Sequence, residues 1–191
     1  MKYDPATRLL HLLVAAGVTA QMLTSLAMVT PKPGRLPNLW YEAHEAVGIG
    51  LLVAVSIYWL WATARAFVRG EGMMLFPWFS RRRLLALRDD AIRTVGELGH
   101  LHLPTDAVPR PLPRAMQGLG LLLALFLAGS GTALAMGMAP DGGLSPLLHA
   151  VKEMHETAAP LMWAYLIAHP LLGVLHQLAG HRSLTHMFGV R

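Results

Sequence analysis

Four apolar stretches of about twenty residues dominate this sequence and limit the folds open to it. They cover residues 9–29, 43–66, 116–138 and 155–178. An α-helix crosses the hydrocarbon core of a bilayer with about 20 apolar residues. Only helices and closed barrels satisfy their backbone in lipid, and these runs do not alternate as barrel strands do. The expected fold class is therefore all-α, a four-helix transmembrane bundle.

The composition supports an integral membrane protein. Hydrophobic residues make up 54% of the 191-residue chain and charged residues 14%, which excludes an ordinary soluble domain. We expect one membrane domain over residues 1–191. No cleavable signal peptide is expected, because the first stretch lacks a small-x-small site and carries His11. Cysteine is absent, which excludes disulfides, thiolate metal sites and covalent haem attachment through CxxCH.

Basic residues are unevenly distributed among the segments that flank these stretches. Thirteen Lys and Arg residues lie in the N-terminal segment, the loop between the second and third stretches, and the C-terminal segment. Only Lys32, Arg35 and Lys152 lie in the other two loops. The positive-inside rule therefore places both termini in the cytoplasm. This topology accounts for the net charge of +5, and no motif indicates nucleic-acid binding.

The cytoplasmic loop over residues 67–115 contains a predicted amphipathic helix. Ser80 is suited to the N-cap of a helix that ends near Gly99. Its apolar stripe consists of Leu84, Leu85, Leu87, Ala91, Ile92, Val95 and Leu98. A basic helix of this kind usually lies on the cytoplasmic leaflet. Packing against the inner end of the bundle is an equal alternative.

Five histidines lie within the apolar stretches, where an ionisable side chain is costly unless it is paired or ligated. Four of them can be paired by depth. With both termini inside, His44 and His155 lie at the outer ends of their stretches, and His11 lies at an inner end. His169 follows His155 by fourteen residues, about 21 Å along a helix and close to a whole number of turns. Depth therefore pairs His44 with His155, and His11 with His169.

Two imidazoles at one depth on different helices are suited to a haem b, which takes one axial nitrogen from each side. The sequence predicts two such bis-histidine sites, each joining the fourth stretch to another. Gly48 and Gly173 follow His44 and His169 by one turn and leave room for a porphyrin edge. Glycine in a membrane helix also serves helix packing, so this indication is weak alone.

Cationic side chains near these sites are candidate partners for haem propionates. Arg8 lies one turn before His11, and it is either a propionate partner or a positive-inside anchor. Arg35 and Lys152 are candidates for the same role at the outer site.

Two further histidines are alternatives to assigned ligands. His149 precedes the fourth stretch and is an alternative to His155, and His176 is an alternative to His169. The pair His155-Glu156 begins like a zinc-protease helix. Position 159 is Ala159, so the second histidine of HExxH is missing and that interpretation fails.

With these residues in place, the chain resembles the prokaryotic four-helix di-haem cytochromes b. These are the bacterial cytochrome b561 family and the cytochrome b subunits of membrane-bound nickel–iron hydrogenases. The matching segments are Thr7–His11, His44–Gly48, and His155 with His169 and the following Gly-Val-Leu-His176. The resemblance implies the four haem ligands that depth matching selects, and a multi-pass place in a bacterial inner membrane. The long basic loop is closer to the hydrogenase-type subunits.

The expected function is transmembrane electron transfer by two haems b, between the quinone pool and a redox partner at the periplasmic face. The expected partners are membrane lipid, quinone and a periplasmic redox protein such as a cytochrome c; a second copy of the chain is an open alternative. One competing function is a stand-alone superoxide:ubiquinone oxidoreductase of the cytochrome b561 type. Another is a non-haem metal-binding or structural membrane protein.

Overall fold

The computed structural model describes residues 4–68, 77–100, 110–178, 180 and 183–188. The helices are α1 (Pro5–Ser25), α2 (Leu39–Val68), α3 (Arg81–Gly99), α4 (Pro111–Gly137), α5 (Pro146–Leu178) and α6 (Ser183–Phe188), with a 3-10 turn at Pro77–Phe79. Within these ranges β-pairing is limited to one isolated antiparallel bridge, between Lys32 and Arg35.

Helices α1, α2, α4 and α5 are long and apolar enough to cross a membrane. The predicted all-α, four-helix membrane fold is therefore confirmed, and the protein is a multi-pass membrane protein that contacts lipid. Large apolar side chains such as Leu23, Val53 and Leu161 are more than half exposed. Such exposure suits helices whose outer surface meets hydrocarbon instead of water.

Helix α5 starts nine residues before the predicted stretch. Ser145 accepts a hydrogen bond at its Oγ from the Leu148 N–H (3.3 Å), and Pro146 occupies the first helical position, where its missing N–H costs nothing. His149, which precedes the predicted apolar stretch, therefore lies within the first turns of the helix, where its N–H donates to the Ser145 carbonyl (2.9 Å). Hydropathy marks the part of a helix that lies in lipid, whereas backbone hydrogen bonding continues into the polar interface.

Asn38 begins helix α2 and ties it to the end of α1. Its Oδ1 accepts from the N–H of Tyr41 (3.0 Å) and from the N–H of Val29 (2.9 Å). Its Nδ2 donates to the Ala27 carbonyl (2.9 Å). An N-cap amide therefore fixes the connection between the first two membrane helices.

The chain divides into two compact units. The first unit comprises residues 9–59 and 122–166, and the second comprises residues 1–8, 60–121 and 167–191. The apolar core of the first unit consists of Val14, Val18, Met22, Leu51, Val55, Tyr58, Ala124, Ala128 and Met162. Gly17 brings α1 close to α2 there, because a Cβ at this position would lie 2.8 Å from Leu51 Cδ1.

Gly142 joins two loops of the first unit. Its φ of +82° lies in the left-handed region, and a Cβ would lie 2.1 Å from the Pro31 carbonyl oxygen. Glycine alone satisfies both the backbone conformation and this close approach. The α4–α5 loop therefore packs directly on the backbone of the α1–α2 loop.

A polar cluster joins α1 and α2 within the second unit. Asp4 caps α1 by accepting from the Thr7 N–H (2.9 Å) and hydroxyl (2.7 Å), and it also accepts from Arg65. The buried Thr7 Oγ1 in turn accepts from Arg65 Nη1 (2.9 Å) and Trp61 Nε1 (3.0 Å). Partial burial raises the pKa of Asp4, but the hydrogen bonds from Thr7 and Arg65 outweigh it and lower the pKa to about 2.

The predicted helix in the α2–α4 connection is also present, and it begins directly after Ser80 as expected. The N–H groups of Arg83 and Leu84 donate to the Ser80 carbonyl (3.0 and 2.9 Å). Asp90 has a buried side chain, whereas Ile92 and Val95 on the predicted apolar stripe are exposed. The helix thus packs on its neighbours in the second unit through a polar side.

The substitution Asp4→Asn is expected to lower the stability of the protein by about 1–2 kcal/mol at pH 7, because it keeps the cap but removes the charge that Arg65 binds. A carboxyl group with a lowered pKa stabilises the fold fully above its ordinary value of 3.8, and this contribution is lost as pH falls through about 2. The difference between variant and parent should therefore shrink between pH 4 and pH 2. Thermal unfolding in detergent measures it.

Asp89→Asn is the matched control, since Asp89 pairs with Arg88 at the surface, where both side chains are about two-thirds exposed. Such pairs contribute little. An equal loss in both variants at pH 7 would contradict the role assigned to Asp4.

Candidate haem site

A cavity of about 230 Å³ in the first unit has both His44 and His155 in its wall. Helices α1, α2, α4 and α5 all contribute to its lining, which is mostly apolar. A second cavity of about 80 Å³ shares His44, His155, Glu45 and Glu156 with the first. The structure therefore brings together the two histidines that were paired by depth at the outer site.

The orientation of the His44 ring is set by helix α1. Its Nδ1 lies 3.0 Å from Thr24 Oγ1 and 3.1 Å from the Gln21 carbonyl oxygen. The Thr24 hydroxyl itself lies 2.9 Å from the Ala20 carbonyl, four residues earlier in the helix. Because its hydrogen is used on a carbonyl, the hydroxyl oxygen accepts from His44. Nδ1 therefore carries the hydrogen, and Nε2 keeps the lone pair.

His155 is held in the same way by helix α4. Its Nδ1 lies 2.8 Å from Ser130 Oγ, and that hydroxyl donates to the Phe126 carbonyl (2.7 Å), again four residues earlier. The Ser130 oxygen therefore accepts from the Nδ1–H of His155. Both histidines present Nε2 as a donor of an electron pair, with the other nitrogen fixed by a partner, as ligating histidines generally require.

Gln21 adds a second connection between α1 and the backbone at His44. Its Nε2 donates to the His44 carbonyl (2.6 Å), and its side chain is 9% exposed and lines the cavity. A Cβ at Gly48 would lie 2.7 Å from that Nε2. Gly48 therefore admits the Gln21 amide. It also lines the cavity, and its role beside a porphyrin edge stays a prediction.

Gly131 is a residue of the site that the sequence reasoning missed. A Cβ there would lie 3.2 Å from His155 Cε1, whereas a Cβ at Gly129 would meet nothing within 4 Å. The sequence indicated only a helix-packing role for the glycines of the third stretch, since no histidine lies near them in the sequence. Gly131 directly follows Ser130 on α4. A glycine next to a hydroxyl residue was the one sequence feature that could have indicated contact with a histidine ring.

The charged side chains that line these cavities are two carboxylates and one amine. Glu45 and Glu156 line both cavities, and Lys152 lines the smaller one. Lys152 Nζ donates to Glu156 Oε1 (2.5 Å). Arg35, the other predicted outer cation, is exposed on the α1–α2 loop and lines neither cavity.

The residues predicted for the inner site are divided between the two units. His11 is half-buried on α1 in the first unit, and His169 is exposed on α5 in the second. Gly173 packs against α6, where a Cβ would lie 3.3 Å from Leu184 Cδ2. The pairing of His11 with His169, and the roles of Arg8 and Gly173 toward a haem, stay predictions.

The outer donor set fits a haem b. Two neutral imidazoles with fixed Nδ1–H groups and an apolar lining are what a bis-histidine haem site needs. Within the described ranges, no three or more His, Asp or Glu side chains gather as they would around a zinc or copper ion.

Four membrane-spanning helices with two oriented histidines at one cavity define a class, the helical membrane haem proteins. The chain belongs to the prokaryotic cytochrome b561 family, whose sequence model matches residues 2–190. The protein is thus a membrane-bound haem b electron-transfer protein. No curated protein and no solved structure matches the sequence.

Gly131→Ala is expected to change the haem spectrum, because the added methyl group forces the His155 ring to move by a few tenths of an ångström. The g-values of the ferric protein in electron paramagnetic resonance report ring orientation directly. Gly129→Ala is the matched control on the same helix, with open space at its Cβ. Equal spectra for the two variants would contradict the contact between Gly131 and His155.

Proposed function

We propose that this protein is a di-haem b electron-transfer protein that exchanges electrons between the quinone pool and a redox partner at the periplasmic face. In this proposal it lies in the bacterial plasma membrane with both termini in the cytoplasm, as the distribution of basic residues supports. His44 and His155 hold the outer haem, and His11 and His169 hold the inner one. The protein is an oxidoreductase or an electron-transfer subunit of one.

The observation that carries the proposal is the shared orientation of His44 and His155. Each ring donates from Nδ1 to a hydroxyl on a different helix, and both rings line one cavity. Each hydroxyl fixes the tautomer that keeps the lone pair on Nε2, which is the nitrogen that a ligating histidine offers to iron. A bis-histidine haem b supplies reversible one-electron transfer with no change of axial ligand.

The charge around the outer cavities favours electron exchange with a partner over reaction with superoxide. Two carboxylates, Glu45 and Glu156, line the cavities, and the one lysine is paired with Glu156. An anionic substrate needs a cationic approach. The stand-alone superoxide:ubiquinone oxidoreductase is therefore the less supported alternative.

The ligand assignment predicts which histidines are needed for each haem. His44→Ala and His155→Ala should each lose one haem b of two, and the double variant should lose the same single haem. His11→Ala should lose the other. The pyridine haemochrome count per purified chain measures the loss.

His149→Ala is the control, since His149 is exposed in the first turns of α5 and should be replaceable with both haems retained. Two haems in the His44→Ala variant, or the loss of one in His149→Ala, would overturn the assignment. Purified parent protein without haem, after expression with adequate haem supply, would favour a non-haem or structural protein instead.

The hydroxyl of Thr24 should tune the reduction potential of the outer haem. Thr24→Val preserves the shape of the side chain but removes an acceptor from the His44 Nδ1–H, so the ring becomes a weaker electron donor and the ferric state loses stabilisation. A hydrogen bond worth about 0.5–1.5 kcal/mol corresponds to a rise of about 20–60 mV for one electron. Redox titration followed in the α-band measures it.

Thr24→Ser keeps the acceptor oxygen and should keep the parent potential. A fall in potential with Thr24→Val, or the same rise with Thr24→Ser, would show that the hydroxyl does not act through the His44 ring.

A further inference from the structure

Helix α3 is held in the second unit by its polar side. Arg110, directly before α4, donates through Nε to Asp90 Oδ1 and through Nη1 to Glu97 Oε2, each at 2.7 Å. Its Nη2 lies 2.9 Å from Thr94 Oγ1, and the N–H of Leu112 donates to Asp90 Oδ2 (2.9 Å). Positions 90, 94 and 97 lie on one face of a helix. This polar face is therefore fastened to the beginning of α4.

The charges in this cluster are matched. The hydrogen bond from Arg110 is the largest of the effects that lower the pKa of the partly buried Glu97 carboxyl group, and Glu97 in turn raises the pKa of Arg110. Asp90 and Arg110 are about nine-tenths buried at their side chains. The cluster thus stays ionised and closed at neutral pH, and it does not leave a carboxylate facing outward.

The other side of α3 is apolar and open. Leu84 and Leu85 are 42% and 44% exposed, and Ile92 and Val95 are 64% and 70% exposed. Phe79, in the turn before the helix, is 85% exposed. A surface helix in water buries its apolar stripe and exposes its polar face, so α3 has the reverse arrangement. An apolar stripe of this kind is expected to be covered.

Connectivity and charge indicate what covers it. The helix lies between the end of α2 and the beginning of α4, which both span the membrane. Five arginines of α3 stand against three carboxylates, of which Asp90 and Glu97 already bind Arg110. The exposed balance is therefore positive. Arg81 and Arg88 lie at helical spacing along the apolar stripe, where a long side chain can reach past apolar surface to a headgroup.

We propose that α3 docks on the anionic surface of the bilayer that the protein spans. Leu84, Leu85, Ile92 and Val95 enter the boundary between headgroups and acyl chains, and the arginines bind lipid phosphates. The Arg110 cluster holds the polar face of α3 against the protein and leaves its apolar side exposed. The lipid surface is favoured over a protein partner because both ends of the connection are already fixed at the membrane.

The chain has no cysteine, so single-cysteine variants of the full protein accept one nitroxide label each. Val95→Cys and Ala86→Cys are nine residues apart, two and a half helical turns, and so lie on opposite sides of α3. Both positions are exposed, so a label at either should leave the fold intact, which size-exclusion chromatography checks. The labelled proteins are placed in nanodiscs that contain phosphatidylglycerol, and collision with oxygen and with a water-soluble nickel chelate is measured.

Docking predicts that the oxygen-to-nickel ratio at position 95 exceeds the ratio at position 86 several-fold. Equal, water-like ratios at both positions would overturn the proposal. Shielding of position 95 from both reagents would also overturn it, in favour of a covering protein or a second copy. Replacing phosphatidylglycerol with the zwitterionic phosphatidylcholine should lower the ratio at position 95, and an unchanged ratio would overturn the claim that the arginines bind an anionic surface.

Discussion

A histidine within the hydrocarbon region must have both ring nitrogens satisfied, and the architecture of the first unit depends on how this is done. An unpaired polar group there costs several kcal/mol. In this protein the Nδ1 of His44 and of His155 is satisfied from within the fold, by Thr24 and by Ser130. Both rings line one cavity. One nitrogen of each ring is thereby committed to structure, and Nε2 is the nitrogen that the proposed haem would use.

Helices α1 and α4, which carry neither His44 nor His155, set the orientation of both rings. A hydroxyl that donates its hydrogen to the carbonyl four residues earlier can only accept a hydrogen bond from the imidazole. Thr24 and Ser130 both do this, on α1 and α4. Close approach of these helices is needed as well, and Gly48 and Gly131 provide the space for Gln21 and for the His155 ring. A pair of histidine-bearing helices alone would fix neither tautomer, which is a physical reason for a bundle of four helices at this site.

The sequence predicted the four membrane helices because a continuous apolar run of about twenty residues has few other physical explanations. It predicted the outer pair because helical rise converts sequence position into depth, which brings His44 and His155 to one level. It did not predict Thr24, Ser130, Gln21 or Gly131. Hydroxyl and glycine residues in membrane helices most often serve helix packing, and only the rotation of each helix about its axis, which packing decides, shows which of them faces a ring. Asn38 was not predicted either, although an N-cap residue before an apolar run is a local signal.

Charge is distributed between the two units according to what each environment allows. The ion pairs of the second unit, Asp4 with Arg65 and Asp90 with Arg110, lie at or beyond the ends of the membrane helices, where water and headgroups lower the cost of desolvation. The contacts at the outer histidines are neutral hydrogen bonds, which need no counter-charge. In the larger cavity the charged lining residues are Glu45 and Glu156, each adjacent in sequence to one of the two histidines. On the ligand assignment proposed above, a carboxylate next to each histidine would favour the oxidised state of a bound iron, and the hydroxyls that accept from Nδ1 would act in the same direction.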